Sequence, residues 1–520
     1  MRRSRTIELC LALVASVALI ACSTAPASTN TPPIDESAGT PTTATVHGQP
    51  SIAPRSSPTT ARTATATTTV IARATPTLDP LRNIPIHGVI TSTYIVRSGD
   101  TLSGIAVATG ATISELLQMN SLTDADMLKA GQIIDVHLPI EGHAPSIKLI
   151  PDSELVNSPT AIQFNIDAYM AAHPQGYLNT YTETVEGVEM TGAHLVARVA
   201  EQYSVHPRLL LALLEYKGGW LDDPAPTGDR LKFPLGYVRT KGDNLNVQLN
   251  WAAMRLNEGY YGWRLATRLW VRLDDGQRAF MGNGINAGTA GVQNYLAAVS
   301  TQPVWLNVLG NGTNGFIQTY KRLFGDPWQY DLGQLVPDDL KQPTLTLPWT
   351  KGETWLFTGG PHSTWGAGSP WGALDFTSMS GYGCNELNDW VTAMITGTIA
   401  RSFNGEVVES LDPSGDEHTG WSILYMHIRS DGRVKVGDRV TIGDPIGHPS
   451  CEGGVTNGSH VHLARKYNGE WLNAVGATPF VIGGWVASEG EMEYDGAITN
   501  GRLTRTPCEC KELYTNGVQW

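Results

Sequence analysis

The chain has 520 residues, enough for several domains, and carries 36 Lys and Arg against 49 Asp and Glu, a formal net charge of −13. That balance argues against a nucleic-acid partner, whose phosphates need a basic footprint. It also argues against simple charge attraction to anionic polymers, so any such binding must come from shaped sites rather than from the net field.

The N-terminus places Arg2, Arg3 and Arg5 ahead of an apolar run over 9–20 that is too short to span a bilayer comfortably. This pattern predicts a secretory signal over 1–21 and hence export. The run closes on Leu19, Ile20, Ala21 and Cys22, which resembles the lipobox of bacterial lipoproteins. The resemblance implies acylation at Cys22, a location in the cell envelope outside the cytoplasm, and contact with the membrane through the lipid anchor only. Loss of 1–21 removes three Arg and one Glu, leaving 33 basic against 48 acidic side chains, or −15. Over 22–82 the composition is Thr, Ala, Ser and Pro with almost no large apolar residues, so the segment cannot bury enough surface to offset its ordering entropy and is expected to be a disordered tether. About 60 residues of such chain span roughly 40 Å.

Folded sequence is expected to begin near Tyr94, in a module over 91–140. Tyr94, Ile95 and Val96 precede Gly99, Asp100, Thr101 and Leu102, and the landmarks Asn120, Leu122, Gly131, Gln132 and Val136 follow. The pattern predicts a strand, two short amphipathic helices and a closing strand, with Asp100 or Thr101 capping the first helix and Thr112 or Ser114 the second. Position by position this resembles a LysM module. The resemblance implies binding of peptidoglycan through its N-acetylglucosamine-containing glycan, in a shallow groove to which Gly99, Asp100, Thr101, Leu102 and residues near 126–129 contribute.

Residues 150–335 read as mostly helical, with apolar spacing over 193–203, 207–214, 250–258, 260–273, 287–298 and 314–324, and with Pro207 placed to open the second of these. The stretch Leu214, Glu215, Tyr216, Lys217, Gly218, Gly219 and Trp220 resembles the catalytic helix of lysozyme-like lytic transglycosylases. Aligning Trp220 with that family's aromatic position puts Lys217 where the catalytic Glu belongs, and a lysine cannot act as the protonated acid that glycosidic cleavage needs. Glu215 lies two residues away, about 200° around the helix. The region is therefore expected to be a degenerate, non-catalytic relative, a glycan-binding or spacing domain, with an unrelated helical domain as the alternative.

From about 345 to 520 the sequence turns to Gly-rich turns, aromatics and short alternating runs such as 421–428 and 433–436, which predicts an antiparallel β domain. The whole chain is thus expected to be a multidomain α+β protein. Cys10 lies in the signal and Cys22 at the anchor, leaving Cys384, Cys451, Cys508 and Cys510. An even count in an exported domain suggests disulfides. Of three possible pairings, Cys508 with Cys510 is least expected, because one residue separates them; each is expected to bond to one of Cys384 and Cys451.

Four of the thirteen histidines sit in contexts that make sense together. Pro361 and His362 are followed by Leu374, Asp375 and Phe376; His427 lies in a strand pattern; His460, Val461 and His462 close the set. Alternation in a strand points His460 and His462 to one face. Three His or Asp ligands with a fourth position left for water is the donor set of a catalytic zinc site. These elements, over about 355–479, resemble the M23 (lysostaphin-like) zinc metallopeptidases, and in particular the β-lytic branch, where an inserted loop separates the first His from the Asp. The resemblance implies that His362, Asp375 and His462 hold Zn2+, and that His427 and His460 act as general base or oxyanion partners. It implies a zinc-dependent endopeptidase that cuts peptidoglycan peptide cross-links or stems. The alternative is a non-catalytic scaffold that binds peptidoglycan and activates separate wall amidases.

Overall fold

The computed structural model describes residues 82, 84, 87–97, 99–109, 111–125, 127–238, 244–310 and 315–520. The expected signal, the acylated Cys22 and nearly all of the tether lie outside the described residues, as do residues 126 and 314. No described helix is long and apolar enough to cross a membrane.

The first module is built as the sequence predicts. Strand β1 (His87–Ile95) pairs antiparallel with β2 (Ile133–Glu141), with helices α1 (Leu102–Thr109) and α2 (Ile113–Met119) between them. Val96, Leu102, Ile105, Leu116, Ile134 and Val136 form its core. Thr112, not Ser114, caps α2, through a capping box closed by Glu115. At α1 the Thr101 hydroxyl accepts from Gly104 N at 3.1 Å, while the Asp100 carboxylate closes the preceding turn by accepting from Tyr94 Oη at 2.9 Å and Arg97 N at 2.7 Å.

The middle region is helical, with α3 (Gly192–Tyr203), α4 (Pro207–Gly218), α5 (Leu245–Arg264), α6 (Ala287–Ala298) and α7 (Phe316–Phe324) as its main elements. One boundary differs from expectation. The two helices anticipated over 250–258 and 260–273 are one helix that runs through Gly259 and stops at Arg264, after which Trp270–Arg272 is a strand. Gly259 is no breaker here: a Cβ at this position would lie 2.6 Å from Ala290 O and 2.8 Å from Gly291 Cα, so the glycine lets α5 and α6 cross in close contact. Glu215 on α4 is occupied by the turn that follows, accepting from Leu221 N at 2.9 Å and pairing with Arg322 at 3.0 Å, while Trp220 is buried. Burial lowers the Lys217 pKa.

The last region is an antiparallel sheet. Its strands are β3 (Thr354–Ser363), β4 (Trp371–Ser378), β5 (Gly397–Phe403), β6 (Glu406–Ser410), β7 (Trp421–Met426), β8 (Arg439–Val440), β9 (Val461–Tyr467), β10 (Glu470–Trp471) and β11 (Gly517–Gln519). They run in the order β8-β5-β6-β7-β9-β4-β3-β11, with β10 paired to β9. Strand alternation gives the sheet two faces. Leu374, Phe376, Val407, Ile423, Tyr425, Val461 and Leu463 point into the region's own core. Ala373, Val408, Leu424, Met426, Ala464 and Trp471 join the core of the helical region instead. The two regions are therefore not beads on a string but share one apolar interior. Polar contacts frame the seam: Ser204 Oγ donates to Gly469 O at 2.5 Å, Trp471 N to Tyr261 Oη at 3.0 Å, and Gln202 Nε2 to Glu406 at 2.6 Å.

The disulfides overturn the expected pairing. Cys384 bonds to Cys451, with Cα atoms 5.6 Å apart, and Cys508 bonds to Cys510. The loop after β4 and the loop before β9 are laced together by Ser459 N donating to Gly383 O and Ser459 Oγ to Asn385 O, both at 2.7 Å, which brings the first pair side by side. Cys508 and Cys510 lie on a separate tight turn whose carbonyls both accept from Asn516 Nδ2.

Glu409 is fully buried in the sheet's own core. Burial pushes its carboxyl up to about 7, against the Tyr425 hydroxyl that donates to it at 2.8 Å. A carboxyl whose folded pKa lies above its unfolded value binds more protons when folded, so its contribution to stability is lost as pH rises from about 4.5 to about 7 and stays lost above. Glu409→Gln is expected to gain stability over the wild type at pH 8 relative to pH 5, by up to roughly 3 kcal/mol. Denaturant melts at the two pH values check this, and an equal difference at both would sink it. Replacing Cys384 and Cys451 by Ser is expected to cost about 2–4 kcal/mol, and replacing Cys508 and Cys510 clearly less, because the second bridge closes a much shorter loop. Thermal melts of the two double variants order them.

Candidate metal centre

The register of four central strands assembles the site. His462 on β9 lies directly opposite Asp375 on β4, Met426 at the end of β7 lies opposite His462, and Gly359 on β3 lies opposite Asp375. His362 is reached through irregular pairing at the end of β3. His427 follows Met426 in the left-handed conformation, φ 65°. His460 just precedes β9 and bridges to Ser450.

The side chains converge. His362 Nε2 lies 2.9 Å from His462 Nδ1, and Asp375 Oδ1 lies 3.5 Å from the former and 3.2 Å from the latter. His460 Nε2 is 3.6 Å from the same Oδ1, and the His427 and His460 ring centroids are 4.5 Å apart. His362, Asp375 and His462 offer ligand atoms within 4.8 Å of one another; His362 and Asp375 are buried and His462 is slightly exposed.

Backbone carbonyls fix the imidazole tautomers. His362 Nδ1 lies 2.8 Å from Gly360 O, and His462 Nε2 lies 3.0 Å from Thr364 O. A carbonyl only accepts, so both nitrogens carry hydrogen, and His362 Nε2 and His462 Nδ1 are left as bare lone pairs facing each other. Asp375 Oδ1 has no hydrogen-bond partner. Two lone pairs and an unpartnered carboxylate oxygen aimed at one point repel unless a cation lies between them, so the donor set fits a zinc ion. In the same way His427 Nδ1 donates to Glu452 O at 3.0 Å and His460 Nδ1 to Gly458 O at 2.7 Å, which leaves both Nε2 atoms free.

Burial pushes the Asp375 carboxyl up, whereas positive charge on His362, His460 and His462 outweighs it and holds the group well below the usual carboxylate range, so the carboxylate is charged once the imidazoles share a proton or a metal cation. Burial lowers the His362 pKa, opposed by Asp375. Burial, then the neighbouring His460 and His462, lowers that of His427 to about 3, so its imidazole is neutral at physiological pH.

Several contributors carry no sequence signal, above all the carbonyls of Gly360, Thr364, Glu452 and Gly458. Tyr494 was also missed. Its ring stacks on His362 at 4.1 Å, and its φ of 72° is unusual for an aromatic residue. His418 and His448 lie apart from this cluster. His418 sits between Asp416 at 2.7 Å and Glu201 at 3.2 Å, and against the effect of burial these carboxylates hold its pKa up to about 10. His448 packs on Trp390.

In the first module the four expected glycan contacts separate. Gly99, at φ +92° with nothing within 4 Å of a would-be Cβ, Asp100 and Thr101 sit on the surface turn, whereas Leu102 is 1% exposed and belongs to the core. Its side chain is thus corrected from contact to packing residue, because it opens α1 on the apolar face.

Residues 94–136 match the LysM domain model and residues 148–338 match the model described as LasA, N-terminal domain. The latter covers the helical region, for which a degenerate lysozyme-like domain was the expectation. Over 401 residues the chain is 25% identical to protease LasA of Pseudomonas aeruginosa strain UCBPP-PA14, covering 72% of this chain and 87% of that protein. It is 29% identical over 184 residues to the beta-lytic metalloendopeptidase of Achromobacter lyticus, 33% of this chain and 46% of the relative. Among solved structures, the deep-sea M23 metalloprotease pseudoalterin is 27% identical, covering 32% of this chain and 96% of its own, with a TM-score of 0.28. The chain is thus a mixed α+β protein that joins a LysM domain to a LasA-like region. Its relatives are LasA and the β-lytic metalloendopeptidase.

If the three donors form one centre, His362→Ala or His462→Ala is expected to reduce bound zinc from one per chain to near zero, read by mass spectrometry of the purified protein. Retention of stoichiometric zinc by either variant counts against the centre.

Proposed function

We propose that the chain is a zinc-dependent peptidoglycan endopeptidase that hydrolyses peptide cross-links or stems of the cell wall. One observation carries this reading: two bare imidazole nitrogens and an unpartnered buried carboxylate oxygen converge, with two further histidines presenting free Nε2 atoms beside them. A relative named beta-lytic metalloendopeptidase and one named protease LasA support it. The LysM match supports the wall as target.

His362, Asp375 and His462 would hold zinc, which supplies Lewis acidity to polarise a carbonyl and lowers the pKa of water toward 7. The neutral His427 is suited to accept a proton at Nε2, since its Nδ1–H is committed to Glu452 O. His460, held through its Nδ1–H on Gly458 O, is suited to take up a proton at Nε2 and, as the imidazolium, to donate it toward the oxyanion of an attacked peptide. Gly99, Asp100 and Thr101 would meet the glycan, and Cys22 would carry the lipid that holds the enzyme at the membrane.

The test uses the purified full chain with isolated cell walls. Stoichiometric zinc, release of soluble fragments and their loss on chelation are expected. His427→Ala and His460→Ala should keep zinc yet lower the rate by about 10²–10⁴-fold, the usual range for a positioned acid or base. Mass spectrometry of the fragments identifies the cut peptide bond. A metal-free chain that releases nothing itself and only stimulates an added amidase would replace this reading with the scaffold.

A further inference from the structure

The loop between the two donors on β3 and β4 does not stand free. Thr364 N donates to Pro370 O at 3.0 Å, Trp365 N to Ser369 Oγ at 3.0 Å, and Ser369 Oγ to Gly366 O at 2.9 Å. Gly366 and Gly368 both have positive φ, and of the loop's side chains only Trp365 is large. The anchor comes from the helical region. The Tyr203 ring, at the C-terminal end of α3, meets Trp365 edge to face at 6.4 Å. It also lies where a Cβ on Gly366 would touch it at 3.1 Å. Gly368 rests on α5, where a Cβ would come within 2.6 Å of Met254 O and 2.9 Å of Glu258 N. Tyr203 is itself pinned, its carbonyl accepting from Asn257 Nδ2 on α5 at 2.8 Å.

What this loop carries is the Thr364 carbonyl, the acceptor that keeps the proton on His462 Nε2 and so leaves Nδ1 for the metal. We infer that Tyr203 is a positioning residue of the metal centre: it holds the 364–370 loop, and through Thr364 O it fixes His462 in the ligating tautomer and orientation. The helical region is then part of the centre's supporting shell rather than a spacer. The inference rests on the zinc reading above.

The experiment measures zinc affinity of the full chain by competition with a chromophoric chelator, and thermal stability of the zinc-free form separately. Loss of an outer-shell partner typically costs 10–100-fold in metal affinity, so Tyr203→Ala is expected to weaken zinc by about that factor. Tyr203→Phe keeps the ring and should retain wild-type affinity. Gly368→Ala leaves the helical core untouched but pushes the loop off α5, and it should weaken zinc in the same range; it decides the matter if Tyr203→Ala does not fold. Wild-type zinc affinity in a folded Tyr203→Ala or in Gly368→Ala, with only the melting temperature lowered, would overturn the inference while leaving the zinc enzyme intact. A wild-type chain that takes up no zinc would overturn both.

Discussion

A carboxylate buried at the centre of a nine-stranded sheet is the constraint around which the rest of the last region is organised. Asp375 sits on β4 between β3 and β9, and the antiparallel register places it opposite His462. Removing a carboxylate from water costs several kcal/mol unless charge and hydrogen bonds are returned to it. Here one oxygen receives no hydrogen bond at all, and the groups nearest it are imidazole nitrogens whose own hydrogens are spent on carbonyls. Polar groups left in this state are not a product of packing alone. Their arrangement becomes favourable only when a cation is shared between them, and that is why the same geometry reads at once as unsatisfied and as preorganised.

Strand parity then ties this site to the helical region. Asp375 and Ala373 point to one face of β4, and His462 and Ala464 to the same face of β9. Ala373 and Ala464 lie in the core shared with the helices. The metal centre therefore stands where a covered face becomes an open one. On the covered side the floor is Ala373, Leu424, Met426 and Ala464 against helical side chains. On the open side stands Tyr494, stacked on His362 yet 54% exposed. In the proposed function a peptide would approach from that open side, and the helical region sets where it begins.

How much of this could be read from the sequence depends on the range of the interaction. His460 and His462 were legible because strand alternation is local, and the capping residues at Thr101 and Thr112 were legible because a cap spans three residues. His362, Asp375 and His427 were legible only by resemblance to a family, since nothing near them in sequence encodes the register that brings them together. Where neighbours far along the chain decide the outcome, local rules failed. Two helices were expected where one runs through Gly259 because α6 needs the space beside it, and Leu102 was expected as a glycan contact although it faces the core. The disulfides show the same limit: one intervening residue makes a Cys508–Cys510 bridge look least favourable, yet the hydrogen bonds from Ser459 had already committed Cys384 to Cys451.

The same reasoning bears on why the loop between His362 and Asp375 is rich in glycine. A loop that only needed flexibility would gain nothing from close backbone contact, yet Gly368 faces the backbone of α5 at distances a side chain would not allow and Gly366 lies tight against the Tyr203 ring. The glycines therefore serve approach as well as the positive φ of the turn. A short loop pressed against two helices loses its conformational entropy on folding, not on metal binding, which leaves the ligand geometry set before the ion arrives. The polar rim of the seam works in the same direction. Ser204, Tyr261, Gln202 and His418 all reach across it, His418 pairing with Glu201 of the helical region from the connection between β6 and β7. An apolar interior closed by such contacts resists hinge motion, so the supports on which Thr364 depends stay in register with the strands that carry His462 and Asp375.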